Sequence, residues 1–238
     1  MKTFFLSLKT SVWLLLALIV VFFVGSYMMP AHREVFSPMN EQLLGAWMIE
    51  TAADNPWQTW WFFASLALLV LLTINTIVCS IQAVRGKWSR TDFLLRISPQ
   101  VMHAGFLFIL LAHLLGAVSG YRLSGELPEG SGATLPDNLI LRLNELRVSA
   151  GPSGYPSDWA ADVDLYREGK RIAQGTLGPN RPLFYGNVGV YLKSFDFSRG
   201  PVAFLMVNKD PGAIWALVGG ILFSLGSVVL LLLKWKQV

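Results

Sequence analysis

Four stretches of the chain are apolar almost without a break, and they frame one long stretch where apolar and polar positions alternate. The apolar stretches run from about Val12 to Met29, Trp60 to Ala83, Ser98 to Gly120 and Gly212 to Leu233. Each approaches the roughly 20 residues a helix needs to cross a 30 Å hydrocarbon core. From Tyr121 the texture changes. Leu139 to Val148 alternates, Trp159 to Tyr166 and Arg171 to Leu177 flank a turn at Glu168-Gly169, Val188 to Phe195 alternates, and Pro201 to Val207 is a further apolar run. This period-two pattern with turn residues predicts an antiparallel β domain of about five to seven strands. At roughly 90 residues such a domain can bury a modest core.

The predicted fold class is therefore an integral membrane α-helical protein with four transmembrane helices and one extracytoplasmic antiparallel β domain. Its expected parts are residues 1–29 (amino terminus and first span), 30–59 (an outer loop with an interfacial helix), 60–83 (second span) and 84–97 (a basic cytoplasmic loop). The third span at 98–120, the β domain at 121–211, and the fourth span with the carboxyl terminus at 212–238 complete the chain. Composition agrees: 53% of residues are hydrophobic, 14% are charged and the mean hydropathy is +0.49, which excludes an ordinary soluble domain. Lys2 and Lys9 before an apolar run imitate a signal peptide. No small-x-small cleavage site follows Val24, and Gly25-Ser26-Tyr27-Met28 is a poor substitute, so the segment is expected to be an uncleaved anchor.

The charges predict an orientation. The amino terminus, the connection holding Arg85, Lys87, Arg90 and Arg96 against Asp92, and the carboxyl terminus with Lys234 and Lys236 carry a net +7. The connection between the first two spans carries −3, and Tyr121 to Asp210 balances to 0, giving the overall +4. By the positive-inside rule both termini and the short basic loop are cytoplasmic, and the acidic loop and β domain lie outside. The basic balance is thus a topology signal, and no nucleic-acid partner is implied. Cys79 is the one cysteine, so neither an intramolecular disulfide nor CxxC redox chemistry is available.

The third stretch carries the main chemical clue, because it holds two of the three histidines, His103 and His113. An ionisable side chain at membrane depth is expensive and usually faces a partner group. On one helix the two imidazoles stand about 15 Å apart along the axis and about 80° apart around it, so they cannot share one metal. His103 is either a buried imidazole hydrogen-bonded to a neighbouring helix or a ligand; His113 is packing, a polar contact or a ligand. His32 is expected at the surface. Asn75 is expected to hydrogen-bond a neighbouring helix. Glu41 to Ile49 suggests a short helix on the outer membrane surface with Trp47 as an aromatic anchor, and Trp88, Phe93, Leu94 and Leu95 among the cations suggest another at the inner surface. Asp158, Asp162 and Asp164 read as a solvated strand face. No calcium loop, H-E-x-x-H, G-x-S-x-G or phosphate loop occurs, and no acid, base or nucleophile stands out.

Three stretches together resemble the ResB family of bacterial and plastid cytochrome c maturation, system II. They are WWFFASLALLVLLTINTIVCSIQAVR (Trp60 to Arg85), MHAGFLFILLAHLLGAVSGYRLSGELPEGS (Met102 to Ser131), and SDWAADVDLYREGKRI through PLFYGNVGVYLKSFD (Ser157 to Asp196). The chain is shorter than typical members, whose outer domain is much larger. The resemblance implies a haem-handling subunit of a cytochrome c synthase, working with a CcsA or ResC-type membrane partner that carries a tryptophan-rich segment. The pair would export haem b and present it for attachment to apocytochrome c. It also implies His103 as an axial ligand to haem iron, the opposite ligand coming from the partner, with Arg85, Lys87, Arg90 and Arg96 near the propionates and bond formation on the partner. A neutral imidazole suits that ligation. Two other readings stay open: a membrane b-type cytochrome subunit in quinone-linked electron transfer, and a haem-free envelope scaffold.

Overall fold

The computed structural model describes residues 7–40, 42–85, 93–150, 156–198 and 200–235. Lys87, Trp88 and Arg90 lie outside the described residues. The chain divides into a helical unit, up to Ser119 and again from Pro211, and a β unit from Gly120 to Asp210. Four long apolar helices and an antiparallel β domain are the expected fold class.

The helical unit contains α1 (Leu8–Ala31), α2 (Arg33–Phe36), a 3₁₀ turn Ser37–Asn40, α3 (Leu44–Trp47), a π turn Met48–Ala52, α4 (Pro56–Arg85), α5 (Phe93–Ser119) and α6 (Ala213–Trp235). α1, α4, α5 and α6 are each long and apolar enough to cross a membrane. Lipid offers apolar side chains no reason to prefer protein, so such helices associate through close packing and polar contacts. Both devices are present. α1 packs on α4, where the Asn75 amide donates to Ser11 Oγ at 2.7 Å and the Trp61 indole fills the space that Gly25 leaves free. Asn75 thus acts as the interhelical tie expected of it.

α5 and α6 meet along a seam of small residues repeating every seven positions on each helix. Ser98, Gly105 and Ala112 on α5 face Gly226, Gly219 and the α6-preceding Gly212. A Cβ added at Gly105 would stand 2.5 Å from the backbone nitrogen of Phe223 and 2.6 Å from the Gly219 carbonyl oxygen. One added at Gly226 would stand 2.9 Å from the Ser98 carbonyl oxygen, and one at Gly212 would collide with the Ala112 backbone. A seven-residue period holds one stripe of each helix against the other, so the backbones touch through three successive layers. Phe108 stacks on Trp215 beside the seam, ring centroids 5.5 Å apart.

Two expectations are corrected here. Phe93, Leu94 and Leu95 are the first turn of α5, not part of a separate interfacial helix, so the helix that carries the third apolar stretch begins before that stretch does. Ser98-Pro99 has the look of a helix start, since proline suits the first turn. Here the helix runs through Pro99, with the Ser98 hydroxyl donating to the Leu94 carbonyl at 2.6 Å. Trp47 is likewise no surface anchor. It is fully buried, its indole N–H donates to the Val35 carbonyl at 2.8 Å, and its ring packs against Phe36 and edge-on against Phe62. With Trp61 these rings make a small aromatic core that binds α2 and α3 to the start of α4.

The β unit has two antiparallel sheets. One has the order β1 (Tyr121–Pro128), β8 (Val202–Lys209), β7 (Val188–Asp196), β6 (Leu183–Tyr185); the other runs β2 (Gly132–Leu135), β3 (Leu139–Ala150), β4 (Pro156–Arg167), β5 (Lys170–Leu177). Leu139, Leu141, Leu143, Val163, Leu165, Leu177 and Val190 are buried between them. β4 and β5 are joined at Glu168-Gly169, both with positive φ, as a tight right-twisted hairpin needs. The strand count exceeds the expected range because β2 and β6, at 4 and 3 residues, are too short to show alternation, and β1 is interrupted by Gly125. Pairing of Tyr121 with Lys209 sets the two ends of this unit side by side.

Of the β4 aspartates, Asp158 lies on an exposed face as expected, whereas Asp162 and Asp164 are tied to the neighbouring strands. Arg147 lies 2.6 Å from Asp162, whose carboxylate also accepts from Thr176 at 2.6 Å, and Arg181 lies 3.6 Å from Asp158. Asp164 is buried, accepts from the Tyr166 hydroxyl at 3.2 Å and stands 3.7 Å from Arg171. No group of three metal-ligating side chains occurs among the described residues.

Candidate functional site

His103 sits on α5 two residues before Gly105, which puts it about 160° around the helix from the α6 seam. It therefore points away from α6 and meets α4. There its Nδ1 lies 2.9 Å from Ser80 Oγ, and the ring is half-buried. Among the described residues this is the ring's hydrogen bond, so Nε2 is the nitrogen left for another partner. A neutral imidazole has one N–H and one lone pair, and the partner at one nitrogen decides which is presented at the other.

The arrangement is locally determined from two sides. The glycine seam fixes the rotation and height of α5 against α6, and the Asn75–Ser11 bond ties α4 to α1 little more than one turn before Ser80. A side-chain hydroxyl on an apolar helix usually donates to the carbonyl one turn back. Thr73, Thr76 and Ser98 do so, to Leu69, Leu72 and Leu94. Ser80 and Ser11 instead bond sideways to another helix.

Because α5 starts at Phe93, the imidazole is about 15 Å along the helix from that end and about 24 Å from Ser119. Arg96 lies about 10 Å from it along α5, and Arg85 about 7.5 Å from Ser80 along α4. Both arginines are exposed and lie on the same side of the His103–Ser80 pair, toward the 86–92 connection. Lys87 and Arg90 fall within that undescribed connection.

His113 is not brought to the same place. It is exposed, with no hydrogen bond among the described residues, and Leu114 and Val118 beside it are 59% and 65% exposed. His32 follows α1; its backbone N–H donates to Met28, and its Nδ1 is 3.6 Å from Glu34. Among the described residues, His103 is the histidine hydrogen-bonded to a second helix.

Ser80 and the Trp47 core were missed by the sequence reading. Ser80 is a polar residue within an apolar span, as Asn75 is, and that was the signal available. Nothing local marked Trp47, since an anchor and a core tryptophan have the same flanking pattern.

A family model described as the ResB-like family matches residues 83–204, which contain all of α5 and nearly all of the β unit. The cytochrome c biogenesis protein CcsB of Thermosynechococcus vestitus is 26% identical over 182 residues, covering 63% of this chain and 41% of that protein. The chloroplastic cytochrome c biogenesis protein CCS1 of Arabidopsis thaliana is 28% identical over 131 residues, covering 48% of this chain and 23% of that one. The chain thus spans less than half the length of these relatives. Among solved structures, the cytochrome c haem lyase CcmF aligns over 71% of this chain and 30% of its own, at a TM-score of 0.47 and 20% identity. The matched stretch exceeds half of the chain and holds His103 and nearly all of the β unit, and the chain belongs to the ResB-like family.

Proposed function

We propose that this chain is a haem-handling membrane subunit in cytochrome c biogenesis, with His103 as an axial ligand to haem iron. The observation that carries the reading is the His103–Ser80 contact, which engages Nδ1 and leaves Nε2, the usual ligating nitrogen, for iron. The names of the relatives support the biological setting. Haem here is cargo: it is received, held by its iron and passed on. Exposed Arg85 and Arg96 offer cations to the propionates from one side of the site, and Lys87 and Arg90 belong to the same basic stretch of the sequence.

His113 lies about 15 Å along α5 from His103, so the opposite axial ligand comes from a CcsA or ResC-type partner. Haem b fits, since it is held by ligation alone before its vinyl groups react with cytochrome thiols. The charge asymmetry supports an orientation with both termini in the cytoplasm and the β unit outside, facing apocytochrome c. Thioether formation is assigned to the partner complex.

The test is co-expression with a CcsA-type partner, purification, and haem quantification for wild type, His103→Ala and His113→Ala. The expected result is loss of haem and of cytochrome c maturation in His103→Ala, with His113→Ala retaining both. Full haem content and maturation in His103→Ala would overturn the assignment.

A further inference from the structure

Resting on that haem reading, we infer that Ser80 is a positioning residue for His103: its hydroxyl oxygen accepts the Nδ1 proton and holds the imidazole in the tautomer that offers Nε2 to iron. Three observations lead there. The Ser80 Oγ to His103 Nδ1 distance is 2.9 Å. The hydroxyl is directed to another helix, whereas Thr73, Thr76, Ser98, Ser119 and Ser227 return theirs to carbonyls of their own helices. The glycine seam opposite prevents α5 from rotating to find the ring another partner.

Before iron binds, the hydroxyl can serve either tautomer, because it both donates and accepts. With iron on the Nε2 lone pair, the proton must sit on Nδ1, and Ser80 becomes the acceptor. A hydrogen bond accepted from the far nitrogen makes the imidazole more basic toward the metal and fixes the ring plane. That strengthens the iron bond and favours the ferric state. Ser80 touches neither iron nor porphyrin in this account; it acts through His103.

The full chain, purified in detergent, is titrated with hemin as wild type, Ser80→Ala, Ser80→Thr, Ser80→Val and His103→Ala. Threonine and valine have the same shape and differ in the hydroxyl. The readouts are hemin affinity, the midpoint potential, and the iron–histidine stretching band of the reduced protein in resonance Raman spectra. We expect Ser80→Ala and Ser80→Val to lose about ten- to a hundredfold in affinity, to raise the potential and to lower the stretching frequency. Ser80→Thr restores all three toward wild type. Threonine and valine behaving alike, or alanine leaving the band and potential unmoved while His103→Ala abolishes ligation, overturns the role of Ser80 and leaves the haem reading standing. Unchanged ligation in His103→Ala, or no hemin uptake by wild type even when co-purified with the CcsA-type partner, overturns both.

Discussion

Replacing Gly105 by alanine adds one methyl group, and the structure says where it goes: 2.5 Å from the Phe223 nitrogen and 2.6 Å from the Gly219 oxygen, against an ordinary contact of at least 3.4 Å. Both obstacles are backbone, so no rotamer change relieves the overlap. The helices must part by about 0.9 Å at this layer. A gap of 0.5–1 Å forfeits roughly a quarter to a half of each dispersion contact along the opened interface. Overpacking of this kind typically costs about 1–3 kcal/mol. Gly220 is the internal control, because a Cβ there meets nothing within 4 Å. Alanine at 220 should be neutral, or stabilising by up to about 1 kcal/mol through helix propensity. Unfolding of both variants in mixed micelles of increasing denaturing-detergent fraction gives the comparison directly. Gly105→Ala as stable as Gly220→Ala would refute the close-packed seam, and with it the idea that α6 sets the rotation of His103.

Trp47→Phe keeps most of the ring but removes the buried N–H that reaches the Val35 carbonyl; the expected loss is about 1–3 kcal/mol, against about 3–5 kcal/mol for Trp47→Ala, read in the same unfolding assay. In the β unit, the Thr176 hydroxyl and then Arg147 hold the Asp162 carboxyl below its ordinary value of 3.8. A depressed carboxylate contributes stability that is present above the unfolded-state pKa and lost as pH falls through the folded one. Asp162→Asn should therefore lower the melting temperature at neutral pH, and the deficit should shrink below about pH 4; a deficit independent of pH would disprove the linkage.

The fold class was legible because it rests on one-dimensional signals. Span length answers to bilayer thickness and strand alternation to a two-residue period, and neither needs knowledge of what packs where. The same signals set Phe93 to Leu95 apart from the third span, since Ser98-Pro99 carries the chemistry of a helix beginning, whereas the preceding turn, Phe93 to Ser98, is held by helix continuity and the Ser98 hydroxyl. They missed β6, because 3 residues cannot display a period. Trp47 was assigned to the membrane surface for a related reason: composition tells that an indole avoids water, not whether lipid or protein covers it. Here Phe36 and Phe62 do.

By itself, the sequence determined that His103 had to be answered by some partner, because an imidazole in an apolar span cannot stay unsatisfied cheaply. It also carried the seven-residue spacing of small residues on α5 and α6, unread until the two helices were seen together. Only the tertiary structure decided that the partner is Ser80. Two residues on different helices meet only if both helices have the right rotation and height, and those two quantities are set by backbone contact at glycine, where there is no side chain for a pattern to display.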